Sequence, residues 1–181
     1  MSRTELLAIS GSLRAASSNR TLLQAAAALA PAGVTILLSD HLVTLPHFNP
    51  DLDGAARPPA AEAWRQATGS ADGLLISTPE YAHGLPGALK NGLDWLVSDP
   101  AVLHKPIAVW NASGRGEHAR ASLLEILRTM STTVVAEAGV TLPLLDGPFE
   151  LATLTGTPAL RASLSRALEH FVKAIRQPAT E

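Results

Sequence analysis

Residues 10–19 read Ser10, Gly11, Ser12, Leu13, Arg14, Ala15, Ala16, Ser17, Ser18, Asn19. Four hydroxyls, a guanidinium and a glycine in so short a stretch make a donor-rich set suited to an anion. A short apolar run, residues 4–9, precedes it. An Ala- and Leu-rich run, residues 20–29, follows, with Leu22, Ala26 and Ala30 at helical spacing. Asn19 stands where a helix N-cap belongs. A strand, a polar loop and a helix in that order leave unpaired N–H groups and partial positive charge at the loop. That is a seat for phosphate. The stretch lacks both GxxxxGK[ST] and GxGxxG, so a single terminal phosphate suits it better than a triphosphate or a dinucleotide. Serine-rich turns also cap helices without binding anything, and the composition leaves that reading open.

Two further stretches carry groups of interest. Residues 78–87 contain Pro79, Glu80, Tyr81, Ala82, His83, Gly84, Pro86 and Gly87, and Tyr81 is the sole tyrosine. Proline and glycine there fix a backbone whose N–H and C=O groups could face a flat heteroaromatic ring. The other reading is a stiff turn with Tyr81 packed on a helix. Residues 111–116 hold Asn111, Ser113, Gly114 and Arg115, with Arg120 beyond. The two arginines suit a phosphate of a second nucleotide, or simply a solvated helix face. His83 has no metal-ligand spacing to another ligand. Glu80 has no carboxylate partner for paired acid–base hydrolysis, and Ser12 has no GxSxG elbow. Lys90 and Asp94, four apart, can pair on a helix. Trp95 suits a core or interface anchor.

The elements that must position these loops alternate. Strand-like runs fall at residues 4–9, 34–38, 72–77 and 105–110, with a fifth inside 133–142 that Gly139 interrupts. Helical runs fall at 20–29, 60–69, 86–96, 117–130 and 158–175. Residues 40–59, with Pro46, Pro50, Pro58 and Pro59, read as an irregular excursion over a sheet edge. Alternation of this kind implies a parallel sheet covered on both faces. The expected architecture is α/β, a flavodoxin-like three-layer sandwich with five strands in the order 2-1-3-4-5, in one domain over residues 1–181. In such sheets ligands bind beyond the carboxyl ends of the strands, near the switch point. That rule selects the loops after strands one, three and four, the three stretches above.

Composition narrows the partners. The net charge of −2 argues against nucleic acid. The absence of cysteine removes disulfides, thiolate nucleophiles and Cys-ligated clusters. No run approaches the roughly 18 apolar residues of a membrane span, and the N-terminus does not read as a signal peptide, so the expectation is a cytoplasmic protein with no membrane partner. Charged residues are only 17% of the chain, which suggests surface covered by another subunit.

With the loops in place, the sequence resembles the NADPH-dependent FMN reductase family. One matching motif is Gly11-Ser12-Leu13-Arg14-x-x-Ser17-x-Asn19. The other is Pro79-Glu80-Tyr81 followed by Gly84-x-Pro86-Gly87-x-Leu89-Lys90-Asn91-x-x-Asp94-Trp95. The resemblance implies noncovalent FMN. Ser12, Arg14, Ser17 and Asn19, with main-chain groups of the same loop at Leu13 and Ser18, would hold its phosphate. Pro79, Glu80, Tyr81 and Ala82 would line the isoalloxazine, and Ser113 and Gly114 would complete the site. It also implies NADPH or NADH as co-substrate, a homodimer or homotetramer, and ping-pong hydride transfer through FMN N5 to a quinone, flavin or similar small acceptor. No side chain is then required as acid or base. A flavodoxin-type electron carrier and a flavin-binding module without NAD(P)H oxidation are the rival readings. The sequence departs from many relatives at Ala82-His83, where Asn then Tyr is usual, and at Glu117-His118, where the usual pair is Gly-Gly.

Overall fold

Leu6, Leu7, Ala8 and Ile9 are all buried, although successive strand side chains point to opposite faces. A strand of that kind needs cover on both sides. The computed structural model, which describes residues 3–112, 114–142 and 149–177, supplies it. Its elements are β1 (Thr4–Ser10), α1 (Ser18–Ala28), β2 (Val34–Ser39), α2 (Pro59–Ser70), β3 (Gly73–Ser77), α3 (Gly87–Asp94), β4 (Pro106–Asn111), α4 (Glu117–Thr129), β5 (Thr133–Val134), β6 (Val140–Thr141), α5 (Leu151–Gly156) and α6 (Pro158–Arg176).

The sheet is parallel, in the order β2-β1-β3-β4-β5, with β6 also paired to β4. This is the expected flavodoxin-like order. Leu6, Ala8, Leu75, Ala108 and Trp110 pack with α1, α5 and α6 through Leu22, Leu23, Leu154, Leu168 and Phe171. Leu7, Ile9, Leu74, Ile76, Ile107 and Val109 pack with α2, α3 and α4 through Trp64, Leu89, Leu93, Leu123 and Leu127. Two apolar layers therefore sandwich the strands. Each buried indole N–H finds a carbonyl: Trp64 donates to Gly92 O, Trp95 to Pro46 O and Trp110 to Ala138 O, all at 2.8 Å.

The fifth strand is broken, as Gly139 foretells. β5 pairs with the start of β4 and β6 with its end, and a 3₁₀ turn, Ala136–Ala138, fills the gap. The Trp110 indole anchors that turn. The short α5 has no counterpart among the helical runs read from the sequence.

Residues 40–58 hold two 3₁₀ turns, His41–Val43 and Pro50–Leu52, and are anchored on α3. Asn91 Oδ1 accepts from Phe48 N–H at 2.7 Å, and its Nδ2 donates to Pro46 O at 2.9 Å. The Phe48 ring meets Trp95 edge-on at 5.1 Å. At Gly92 a Cβ would collide with Leu42 Cδ2, so any larger residue there would have to displace the end of that side chain. Asn91, Gly92 and Trp95 thus serve the fold.

The far end of this segment is locked by Asp53. Its carboxylate takes Arg65 Nη2 at 2.8 Å and Arg57 Nη2 at 3.2 Å, and accepts the Ser98 hydroxyl. Arg65 is itself buried and donates to Trp95 O at 2.7 Å. The Ser98 hydrogen bond, followed by the Arg65 and Arg57 charges, holds the Asp53 carboxyl below the usual carboxylate range. A carboxyl lowered on folding stabilises the fold above its unfolded-state pKa, and that stabilisation is lost as pH falls through the folded value, here below about pH 4. Asp53→Asn is expected to flatten the part of acid destabilisation that lies below about pH 4. Urea denaturation of both proteins across that range measures it. Identical pH slopes would remove Asp53 from the acid response.

Among the described residues no helix is long and apolar enough to cross a membrane.

Candidate functional site

The order 2-1-3 places the switch point at the carboxyl ends of β1 and β3. The loop after β1 starts with Gly11, whose N–H donates to Ser77 O at 2.8 Å and ties it to the end of β3. Ser10 and Ser12 then fold the chain back on itself. Ser12 N–H donates to Ser10 Oγ at 3.3 Å, and Ser10 Oγ donates to Ser12 O at 3.2 Å. Ser17, in extended backbone, is the N-cap of α1, and its Oγ accepts Arg20 N–H at 3.3 Å.

Asn19, expected as the cap, instead lies inside the first turn of α1. It is buried, with its Oδ1 accepting the Ser77 hydroxyl at 2.8 Å. A serine two positions earlier already satisfies the helix, which frees Asn19 to close a buried contact across to β3. Ser77 was not singled out in the sequence. A polar residue ending a wholly apolar strand beside the crevice was the available signal.

The loop is rich in donors that lack acceptors. Among the described residues, no partner accepts from the N–H groups of Leu13 or of residues 15–19, nor from the hydroxyls of Ser12, Ser17 and Ser18. The exposed Arg14 side chain has no partner among them either. The first turn of α1 carries no acidic residue, so nothing local neutralises the positive end of the helix. Arg20 differs, because its guanidinium is paired with Asp40 at 2.6 Å. A cavity of about 340 Å³ opens beside the loop, lined by Ser12, Leu13 and Arg14 and bounded by Arg20, Asp40 and Leu42.

The loop after β3 makes a tight turn. Tyr81 and Gly84 exchange main-chain hydrogen bonds at 3.1 and 3.0 Å. Ala82 (φ 48°) and His83 (φ 58°) between them are left-handed. This is the backbone of a two-residue turn that ordinarily uses Asn and Gly. Pro79 is half-buried, and Tyr81 is 50% exposed with its ring off the core. The Glu80 side chain turns away to α4, its Oε2 accepting Ala119 N–H at 2.9 Å. Glu80 thus caps α4, whose own N-cap residue Gly116 (φ 96°) has no side chain to do so. The main chain of Glu80 remains for a ligand.

In the loop after β4, Asn111 Nδ2 donates to Arg115 O at 2.8 Å. Gly114 is exposed, and a Cβ there would meet no described atom within 4 Å. Ser113 lies outside the described residues. Arg115 and Arg120 are exposed. Glu117 opens α4, where a carboxylate suits the helix dipole. His118 stacks on His83, with ring centroids 4.4 Å apart and planes 19° from parallel. The sequence placed these two histidines on separate loops and gave no sign of their meeting. No group of three or more His, Asp or Glu among the described residues is placed to hold a metal. Lys90 and Asp94 form the expected pair at 2.6 Å, on the exposed side of α3.

A phosphate monoester on a flat ring system matches this donor set. The unpartnered N–H groups, three hydroxyls and Arg14 suit the phosphate, and the rigid turn after β3 suits the ring. The residues present therefore fit FMN.

Comparison with known proteins agrees. The family model described as NADPH-dependent FMN reductase matches residues 4–144. An NAD(P)H-dependent FMN reductase of Pseudomonas aeruginosa is 42% identical over 120 residues, covering 65% of this chain and 64% of that protein. A 2-hydroxy-1,4-benzoquinone reductase of Burkholderia is 43% identical over 91 residues, covering 50% and 49%. The quinone reductase of Escherichia coli K12 is 31% identical over 114 residues, covering 61% of each. The matched segment spans less than two-thirds of each of these relatives. A flavoenzyme NAD(P)H:(acceptor) oxidoreductase from Paracoccus denitrificans superposes with a TM-score of 0.75 at 23% identity, over 94% of this chain and 98% of that one, and shows the shared fold. Matched over most of its length and built with the same sheet order, the chain belongs to the NADPH-dependent FMN reductase family.

Proposed function

We propose that the chain, as one domain, is an FMN-dependent NAD(P)H oxidoreductase acting on a quinone or similar small acceptor. The observation that carries this reading is the run of unpartnered N–H donors beside Arg14 at the switch point. FMN, when bound, supplies hydride chemistry at N5, which serves a nicotinamide donor and an acceptor in turn. The protein's work is binding and orientation. Arg14 and the N–H groups of residues 15–19 hold the phosphate, with Ser12, Ser17 and Ser18 donating hydroxyls. Asn19 acts at one remove, fixing the start of α1 to β3 through Ser77. Main-chain atoms of Pro79, Glu80, Tyr81 and Ala82 line the ring, and Gly114 and Ser113 complete the site. The half-exposed Tyr81 ring borders the substrate side. Hydride transfer through the cofactor requires no side chain as acid or base. Quinone acceptors enter from the names of the relatives from Burkholderia and Escherichia coli.

The test is a visible spectrum of FMN-supplemented protein after removal of free flavin, followed by anaerobic NADPH and then NADH. A bound flavin spectrum that bleaches rapidly is the expected result. Bound flavin that neither nucleotide reduces would favour an electron carrier. Absence of bound flavin would refute the assignment.

A further inference from the structure

The turn that faces the proposed flavin ring is strained where it stands. Ala82 and His83 are both left-handed and neither is Gly or Asn. Such residues persist only when their surroundings over-determine them. Besides the Tyr81–Gly84 hydrogen bonds, two contacts among the described residues tie this turn down, and both land on the first turn of α4. Glu80 Oε2 accepts Ala119 N–H at 2.9 Å, and the His83 ring lies on His118 at 4.4 Å. They bracket Tyr81 and Ala82, the residues whose main chain faces the ring.

We propose that His118 is a positioning residue: stacked on His83, it clamps the 81–84 turn against α4 in its flavin-binding form. The role rests on the flavin reading above. The ring stack and the Glu80–Ala119 hydrogen bond tie the turn to α4 from both ends, so loss of the His118 ring leaves the left-handed residues held to α4 at one end alone.

The experiment is FMN titration by flavin fluorescence at a single pH. His118→Ala is expected to bind about tenfold more weakly than wild type, comparable to the strain of one left-handed residue. His118→Phe keeps a ring to stack on His83 and should bind nearly as tightly as wild type. Ala82→Gly in the His118→Ala background relieves the strain directly and should restore affinity. The readout independent of flavin is the NMR signal of His83 Cε1–H in the flavin-free protein, which loses its ring-current shift in His118→Ala. Tight wild-type binding with an unchanged affinity in His118→Ala would overturn the proposal. Wild type that binds no FMN sinks the flavin reading instead. The clamp is then judged by NMR alone, and a His83 signal unmoved by His118→Ala overturns it.

Discussion

Arg14→Ala is expected to weaken FMN binding about 10- to 100-fold, the worth of one charge-assisted hydrogen-bonded contact to a phosphate. The magnitude follows from what Arg14 does in the flavin-free chain. It is exposed, beside a cavity, with no carboxylate on it among the described residues. Binding therefore breaks no existing ion pair, and the full contact appears as affinity. Arg20, also at the cavity, is the control. Its guanidinium already holds Asp40 at 2.6 Å, so Arg20→Ala should change FMN affinity far less. Because Arg14 packs against little, its loss should leave the stability of the flavin-free protein within about 0.5 kcal/mol. Fluorescence titration and urea denaturation of both variants measure the two effects. Equal losses of affinity would mean that charge near the cavity matters but position does not. No loss at Arg14 would move the phosphate elsewhere.

The sheet was legible because its signal is local and redundant. Residues 73–77 carry no polar alternation, as a central parallel strand buried on both faces requires. The three loops followed from the strand order alone. What escaped detection was pairwise and long-range. Asn19 satisfies the local rule for a helix cap, yet a partner 58 residues away claims its amide and leaves capping to Ser17. The capping role of Glu80 left no trace in the sequence because its partner is a backbone N–H, which has no residue type to read. Asn91 belongs to a motif associated with flavin binding, but here it satisfies the main chain at Pro46 and Phe48. The meeting of His83 and His118 needs the packing of two loops, and each loop taken separately looks unremarkable. Helix α5 is too short to show a period, and it closes at Gly156.

The same long-range logic yields a second large effect. Gly11→Ala is expected to lower stability by about 1–3 kcal/mol, the usual cost of overpacking, and to lower FMN affinity as well. Gly11 is not left-handed, so the backbone itself tolerates alanine there. Space is what fails. A Cβ would overlap Thr78 Oγ1, lie 2.8 Å from Thr78 Cβ and reach 3.1 Å from Leu89 Cδ2. Thr78 opens the loop proposed to line the ring, and Gly11 opens the loop proposed to hold the phosphate. Their close contact sets the distance between the two halves of the proposed site, as does the Gly11 N–H bond to Ser77 O at 2.8 Å. A methyl group wedged there pushes the halves apart, and a rigid ligand that spans them then loses contacts at one end. Thr78→Gly in the Gly11→Ala background removes the colliding atoms and leaves only the Leu89 contact. Part of the affinity should therefore return, even though a second glycine further loosens the chain. Recovery of affinity without recovery of stability would separate the spacing of the loops from the packing of the core. A Gly11→Ala protein as stable and as tight-binding as wild type would mean that the loops carry slack at this contact.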